Sequence, residues 1–235
     1  PRVPIVQTFL KAEGLEVIQE AFAVTDSLDF TTLTKPEAPA RNDLILIRIT
    51  NTGAAPQAVQ PQLTVSTDTD FDFRIDTQQV VINHHERITS SLKMTGLAAE
   101  KDDARRVIQL ESLTVPAGKT ETFFILYSGG GKIVLEPASV EQALASRERA
   151  VAYWQKLDLP YDRVQVPDVG IQALLDSSIR NIWQAREIKD GLPAFQVGPS
   201  CYRGLWIVDG AFLLESAAML GAGDQARSGV AYEMK

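Results

Sequence analysis

Cysteine is almost missing from this chain: among 235 residues there is one, Cys201. An intrachain disulfide and a cysteine metal cluster are therefore both excluded. Histidine is nearly as scarce. His84 and His85 are adjacent in a stretch that reads as a strand, where a period of two sends neighbours to opposite faces. Without a third histidine or a cysteine partner beside them, they are poor material for a zinc site. Basic charge is in deficit, with 23 Lys and Arg against 30 Asp and Glu, a net charge of −7 and a pI near 5.0. Nucleic acid and anionic membrane surfaces reward clustered positive charge, so neither is expected as a partner. Long apolar runs are lacking too, and none reaches the roughly 18 residues of a membrane span.

Other absences narrow the chemistry. Gly129-Gly130-Gly131 follows a strand, but no helix opens directly behind it and the dinucleotide-binding spacing is missing, so it reads as a connector. Ser200-Cys201 has no nucleophile-elbow context and no histidine downstream, which argues against a catalytic triad. Asp102-Asp103, beside Lys101 and Arg105, reads as a solvated loop. Nothing in the sequence calls for a cofactor. The chain begins Pro1-Arg2-Val3-Pro4 without Met, and a helical run from Asp224 reaches Lys235 without a closing cap. We therefore read it as a trimmed fragment, with compartment and oligomeric state left open.

What is present falls into two dialects. To about residue 130 the chain is written as strands: Leu44 to Ile49, Gln62 to Ser66, Phe71 to Ile75 with alternating charge, Val80 to Ile82, Arg106 to Val115 and Thr122 to Tyr127. Turn signals separate them at Asn51-Thr52-Gly53, Thr69-Asp70 and Pro116-Ala117-Gly118. No long helical stretch intervenes, so an antiparallel β-sandwich is expected rather than βαβ units. Residues 1–136 form that sandwich in this reading.

The period then changes. Ser139 and Gln142 have the spacing of a capping box, and Val140, Leu144, Val151 and Trp154 share a helical face that leaves Arg147 mostly outside. Residues 137–166 are read as this linker helix followed by an extended crossing from Pro160 to Pro167. Residues 167–235 begin an α-barrel. A helix opening at Asp168 carries a stripe of Ile171, Leu174, Leu175, Ile179, Ile182 and Trp183, and is expected to stop at Lys189-Asp190-Gly191. A loop from Leu192 to Arg203 follows. The next helix, Leu205 to Leu220, is apolar almost all round and is expected to be buried between other elements.

The candidate site sits where that helix begins. Asp209 has apolar neighbours, and a carboxylate there is costly to bury unless it is satisfied. It either serves the helix terminus or accepts hydrogen bonds from adjacent sugar hydroxyls. Trp206, three residues earlier, is either core or a platform for a pyranose face. Tyr202 and Arg203 precede the helix and could reach a ligand or Asp209. Glu215 points elsewhere, to an ion pair or to solvent.

Taken together, Tyr153-Trp154, Asn181-Ile182-Trp183 and Tyr202-Arg203-Gly204-Leu205-Trp206-Ile207-Val208-Asp209-Gly210-Ala211-Phe212 give a pattern. It resembles the six-hairpin glycosidases, the (α/α)6-barrel enzymes related to glucoamylase, glycogen-debranching glucosidase, trehalase and the bacterial α-L-rhamnosidases. The resemblance implies a glycoside hydrolase acting on oligo- or polysaccharide, with Tyr202, Arg203, Trp206 and Asp209 as substrate-binding residues. Relatives often carry Arg directly before the Asp, where Val208 stands here. In such enzymes the catalytic carboxylates lie further along the barrel, so this segment alone is expected to be inactive. A barrel phosphorylase or lyase, and a non-catalytic carbohydrate-binding or structural β-sandwich module with a helical extension, are the alternatives.

Overall fold

The computed structural model describes residues 2–25, 41–66, 72–99, 105–129, 135–189, 191–198 and 204–234. The described residues divide into two compact units, one from residues between Ile5 and Ala152, the other from the stretch ending at Pro4 and from Tyr153 onward.

In the first unit, β1 (Val6–Ala12), β2 (Leu15–Val24), β3 (Asn42–Asn51), β4 (Gln57–Val59) and β5 (Gln62–Ser66) come first. They are followed by β6 (Phe73–Ile75), β7 (Gln79–Ile82), β8 (Glu86–Ser90) and β9 (Met94–Ala99), then by β10 (Arg105–Leu110), β11 (Leu113–Val115) and β12 (Thr120–Ser128). Among the described residues these build a seven-stranded antiparallel sheet in the order β1-β2-β3-β12-β8-β7-β6. A three-stranded sheet β5-β10-β9 and the pair β11-β4 accompany it. Alternation explains the layering. In β3 and β12, Ile47, Ile49, Phe123 and Ile125 share one core with Ile108 and Leu110 of β10 and Val115 of β11. The opposite parity, Leu44, Leu46, Phe124 and Leu126, packs with Ala143 of α1 (Val140–Lys156). Strand layers thus share a core on one face of the large sheet, and a helix covers the other.

Several local expectations change. The hairpin β1–β2 was not anticipated. Glu13 and Gly14 both have positive φ (48° and 82°), the turn a two-residue hairpin needs. Arg106 to Val115 is two strands in two different sheets rather than one. His84 and His85 lie in the β7–β8 turn, not a strand. Asn83 and His84 have φ of 50° and 65°, and His84 Nε2 stands 3.1 Å from Asp72 Oδ2.

The expected capping box forms in shifted form: Ser139 Oγ accepts from the Gln142 N–H at 3.3 Å, while Gln142 Oε1 accepts from the Ala138 N–H at 2.9 Å. Arg147 is not on the outer face of α1. Its Nε and Nη2 donate to Glu20 at 2.8 Å each, and Glu20, wholly buried, also accepts from Arg48 at 2.9 Å and Gln7 at 2.7 Å. Burial alone would raise the Glu20 carboxyl. Hydrogen bonds from Arg147 and Gln7, then the charges of Arg147 and Arg48, outweigh it and hold the group below the usual carboxylate range.

In the second unit the crossing is not wholly extended, since Tyr161–Arg163 makes one 3₁₀ turn with Tyr161 buried. Asp168 caps α2 (Val169–Gln184), accepting from the Gly170 and Ile171 N–H groups. The stripe of α2 is only partly interior: Ile179 is buried, while Ile171 and Leu174 are exposed. Sequence reasoning missed its polar anchor, the buried Asp176, which accepts from Arg2 and Gln172 at 2.9 Å each. The helix ends at Gln184, earlier than expected, because Asp190-Gly191 is a hairpin signal rather than a helix stop. β13 (Arg186–Lys189) and β14 (Leu192–Phe195) pair antiparallel, with Gly191 at φ 78°. α3 (Ile207–Met219) and α4 (Gly223–Glu233) complete the unit. Contrary to expectation α3 is not enclosed. Gly210, Leu214 and Ala217 are buried, but Ile207, Val208, Phe212 and Met219 are 67–78% exposed.

Candidate functional site

Phe195, fully buried at the end of β14, shares a core with Leu205, Leu214, Ala217 and Ala226. Leu205 thereby fixes the approach to α3. Trp206 follows as the N-cap, in extended conformation and without a side-chain cap bond, so Ile207 is the first helical residue and Asp209 lies in the first turn. The indole stands over Gly204, where a Cβ would lie 3.4 Å from Nε1. α4 reaches the same place because two glycines permit close packing. A Cβ at Gly210 would strike the Glu233 carboxylate and the Leu205 side chain, and one at Gly229 would strike Leu214.

The result is an open concavity of about 560 Å³ walled by the run from Gly204 to Asp209 and, from α4, by Tyr232. Trp206 is 53% exposed, so it is not a core residue. Asp209 is exposed at the helix N-terminus, where the dipole favours its charge. Among the described residues no side chain bonds it. The structure thus places Trp206 and Asp209 on one wall. Tyr202, Arg203, Ser200 and Cys201 lie outside the described residues, as do Thr69-Asp70, Phe71, Asp102-Asp103 and Gly130-Gly131. Glu215 is exposed on α3.

Sequence reasoning missed Tyr232. It sits at helical spacing within an ordinary amphipathic stretch, and only the α3–α4 turn brings it to the site. Its ring packs against the Phe195 core, with Lys189 Nζ 5.8 Å from its centroid. Two polar groups nearby are unusual. Among the described residues, Glu233 Oε1 and both polar side-chain atoms of buried Gln196 have no hydrogen-bond partner, a costly state for interior acceptors and donors. Chemically, the concavity offers an indole face, a phenol and one carboxylate: a stacking surface plus an acceptor for hydroxyl groups. Among its described lining residues none carries positive charge.

No family model matches the chain, and no curated protein matches it. Among solved structures, one described as a kojibiose phosphorylase from the human microbiome aligns over 79% of this chain at 11% identity with a TM-score of 0.36. The chain spans 24% of that structure's length.

Proposed function

We propose that this chain is the N-terminal part of a carbohydrate-active enzyme of the six-hairpin glycosidase type. On this reading residues 1–136 are its β-sandwich, residues 137–166 its linker and residues 167–235 the first helices of its (α/α)6 barrel. Strand layers followed by a capped helix and then paired helices support that order. The observation that carries the functional reading is the shared wall of half-exposed Trp206 and exposed Asp209 in one concavity. A tryptophan and a carboxylate left out of the core, side by side, suit a pyranose: the indole covers its C–H face and the carboxylate takes two hydroxyls.

Asp209 is a gripping residue in this proposal rather than the acid or base. Hydrolysis with inversion needs two carboxylates roughly 6.5–9.5 Å apart, and these belong to further barrel segments, so the 235-residue chain alone turns over no substrate. Tyr202 and Arg203 complete the rim of the proposed site. In the complete enzyme Asp209→Asn is expected to lower kcat/KM by about 10- to 150-fold, the worth of a hydrogen bond to a charged group, with an unchanged melting temperature. A mutant that melts earlier yet keeps full activity per folded molecule would falsify the ligand role.

A further inference from the structure

Arg2 is held in an arrangement that owes nothing to the sugar-site reading, and we infer that residues 2–4 are a releasable strap, locked by a guanidinium-binding cage of Tyr161 and Asp176. These residues belong to the helical unit yet lie in no helix or strand. The strap can therefore come away without unpairing a sheet or unwinding a helix. Arg2 Nε donates to Asp176 Oδ2 at 2.9 Å, and the guanidinium lies over the Tyr161 ring, 4.6 Å from its centroid. A carboxylate acceptor and an aromatic face together suit a planar, delocalised cation better than a compact ammonium. The cage itself is fixed. Tyr161 is buried with Ile179 and Leu220, and Gln172 Nε2 holds the other Asp176 oxygen at 2.9 Å. The strap backbone is held loosely: the Arg2 carbonyl accepts from the Tyr161 hydroxyl and the Val3 carbonyl from Arg180 Nη1, each at 3.4 Å. Asp162, well exposed and 3.8 Å from Arg2 Nη2, adds little. The Arg2 side chain is 48% exposed, whereas that of Asp176 is 7% exposed. A half-exposed cation over a buried carboxylate makes a latch. Closed, it satisfies the buried charge; open, water takes its place.

The lock can be read directly at the Arg2 Nε–H, by NMR of the 235-residue chain carrying isotope-labelled arginine. Asp176→Asn keeps the shape and an acceptor but removes the charge. It should speed exchange of that proton with water about tenfold, the difference between a charge-assisted and a neutral hydrogen bond. Unchanged exchange would overturn the lock. Specificity is tested by emptying the cage. In Arg2→Ala, added ethylguanidinium should bind and shift the Tyr161 ring resonances saturably. Ethylammonium should bind about two- to fivefold more weakly, the worth of an exposed cation–π contact. Wild type, with its cage filled, should show no such shift over the same range, and Asp176→Asn added to Arg2→Ala should abolish it. Equal binding of the two cations would overturn the guanidinium cage. An Arg2→Ala chain that binds neither, or wild type that responds equally, would overturn the strap with it. If Arg2→Ala does not fold, Arg2→Lys keeps the test open: ethylguanidinium should displace its ammonium more readily than it displaces Arg2, and equal resistance to displacement would count against the cage.

Discussion

The strand-built unit and the helical unit treat their large apolar residues in opposite ways. In the first, Leu44, Leu46, Ile108 and Leu126 are at most 1% exposed, and the strongest exceptions gather on the edge strand β1, where Val6, Phe9 and Leu10 face solvent, with Ile75 of β6 and Leu97 of β9 less exposed. In the second, the α3–α4 contact is made by Leu214 and the small residues Gly210, Ala217, Ala226 and Gly229, while Ile207, Val208, Phe212 and Met219 point away from it. Each such side chain forgoes about 1.5–3 kcal/mol of burial. Four together approach the whole net stability of an ordinary domain. The difference teaches that the strand unit closes its own core, whereas α3 is shaped for further surface. On the reading proposed above, that surface is the remainder of the barrel.

The largest effect that would sharpen this contrast concerns how α1 is locked onto the sheet. Arg147→Met leaves the Glu20 charge buried beside Arg48 alone, and breaking a buried pair costs about 3–5 kcal/mol. Urea unfolding would measure the loss, and hydrogen exchange should locate it in β2, β3 and β12. The double change Glu20→Leu with Arg147→Leu should recover most of it, because no buried carboxylate remains and Arg48, whose side chain is 32% exposed, can turn to solvent. Acid adds a second readout. The folded-state pKa of Glu20 is depressed, so its stabilisation is present above the ordinary carboxylate value of about 4.3 and is lost as pH falls through the folded value. The double mutant should lack that part of the acid dependence.

How much of this was legible beforehand follows the same division. Leu44 to Ile49 and Thr122 to Tyr127 were readable because a strand buried on both faces is a continuous apolar run bounded by turn residues. The break between β10 and β11 was not, since Glu111-Ser112 carries no Gly or Pro to mark a change of sheet. Arg147 looked like an outer-face charge because helical spacing cannot show that a buried glutamate waits on a strand 127 positions earlier. At the candidate site, Trp206 and Asp209 were visible as a spaced pair next to a helix start. Tyr232 was not, because its place depends on how tightly α4 closes, a tertiary fact. The β13–β14 hairpin was readable in principle from Gly191, but the helical stripe of α2 runs close enough to that glycine to suggest a helix stop.

The tightness of that closure is itself testable at an intermediate magnitude. Gly229 has no positive φ, so Ala would gain up to about 1 kcal/mol of helix propensity. The new methyl, however, meets the Leu214 side chain, which is buried and cannot swing aside. Overpacking costs about 1–3 kcal/mol, so Gly229→Ala should be destabilising by about 1 kcal/mol net in thermal unfolding followed at Trp183. A stabilised mutant would mean that α3 and α4 sit further apart than described, and the wall carrying Tyr232 would move with them.

The smallest expected effect discriminates most sharply, because its size should depend on what surrounds α3. Phe212 is 67% exposed, so Phe212→Gln in the 235-residue chain should change stability by no more than about 0.5 kcal/mol, and should reduce self-association, since it interrupts an exposed apolar patch. In the complete enzyme the same substitution should cost about 3–5 kcal/mol, the penalty for losing a buried phenylalanine. A large loss in the 235-residue chain would show that α3 is already covered there, and the contrast between the two units would fail. A negligible loss in the complete enzyme would leave the contrast intact and remove its proposed explanation: the apolar face of α3 would then meet solvent or another molecule rather than further barrel helices.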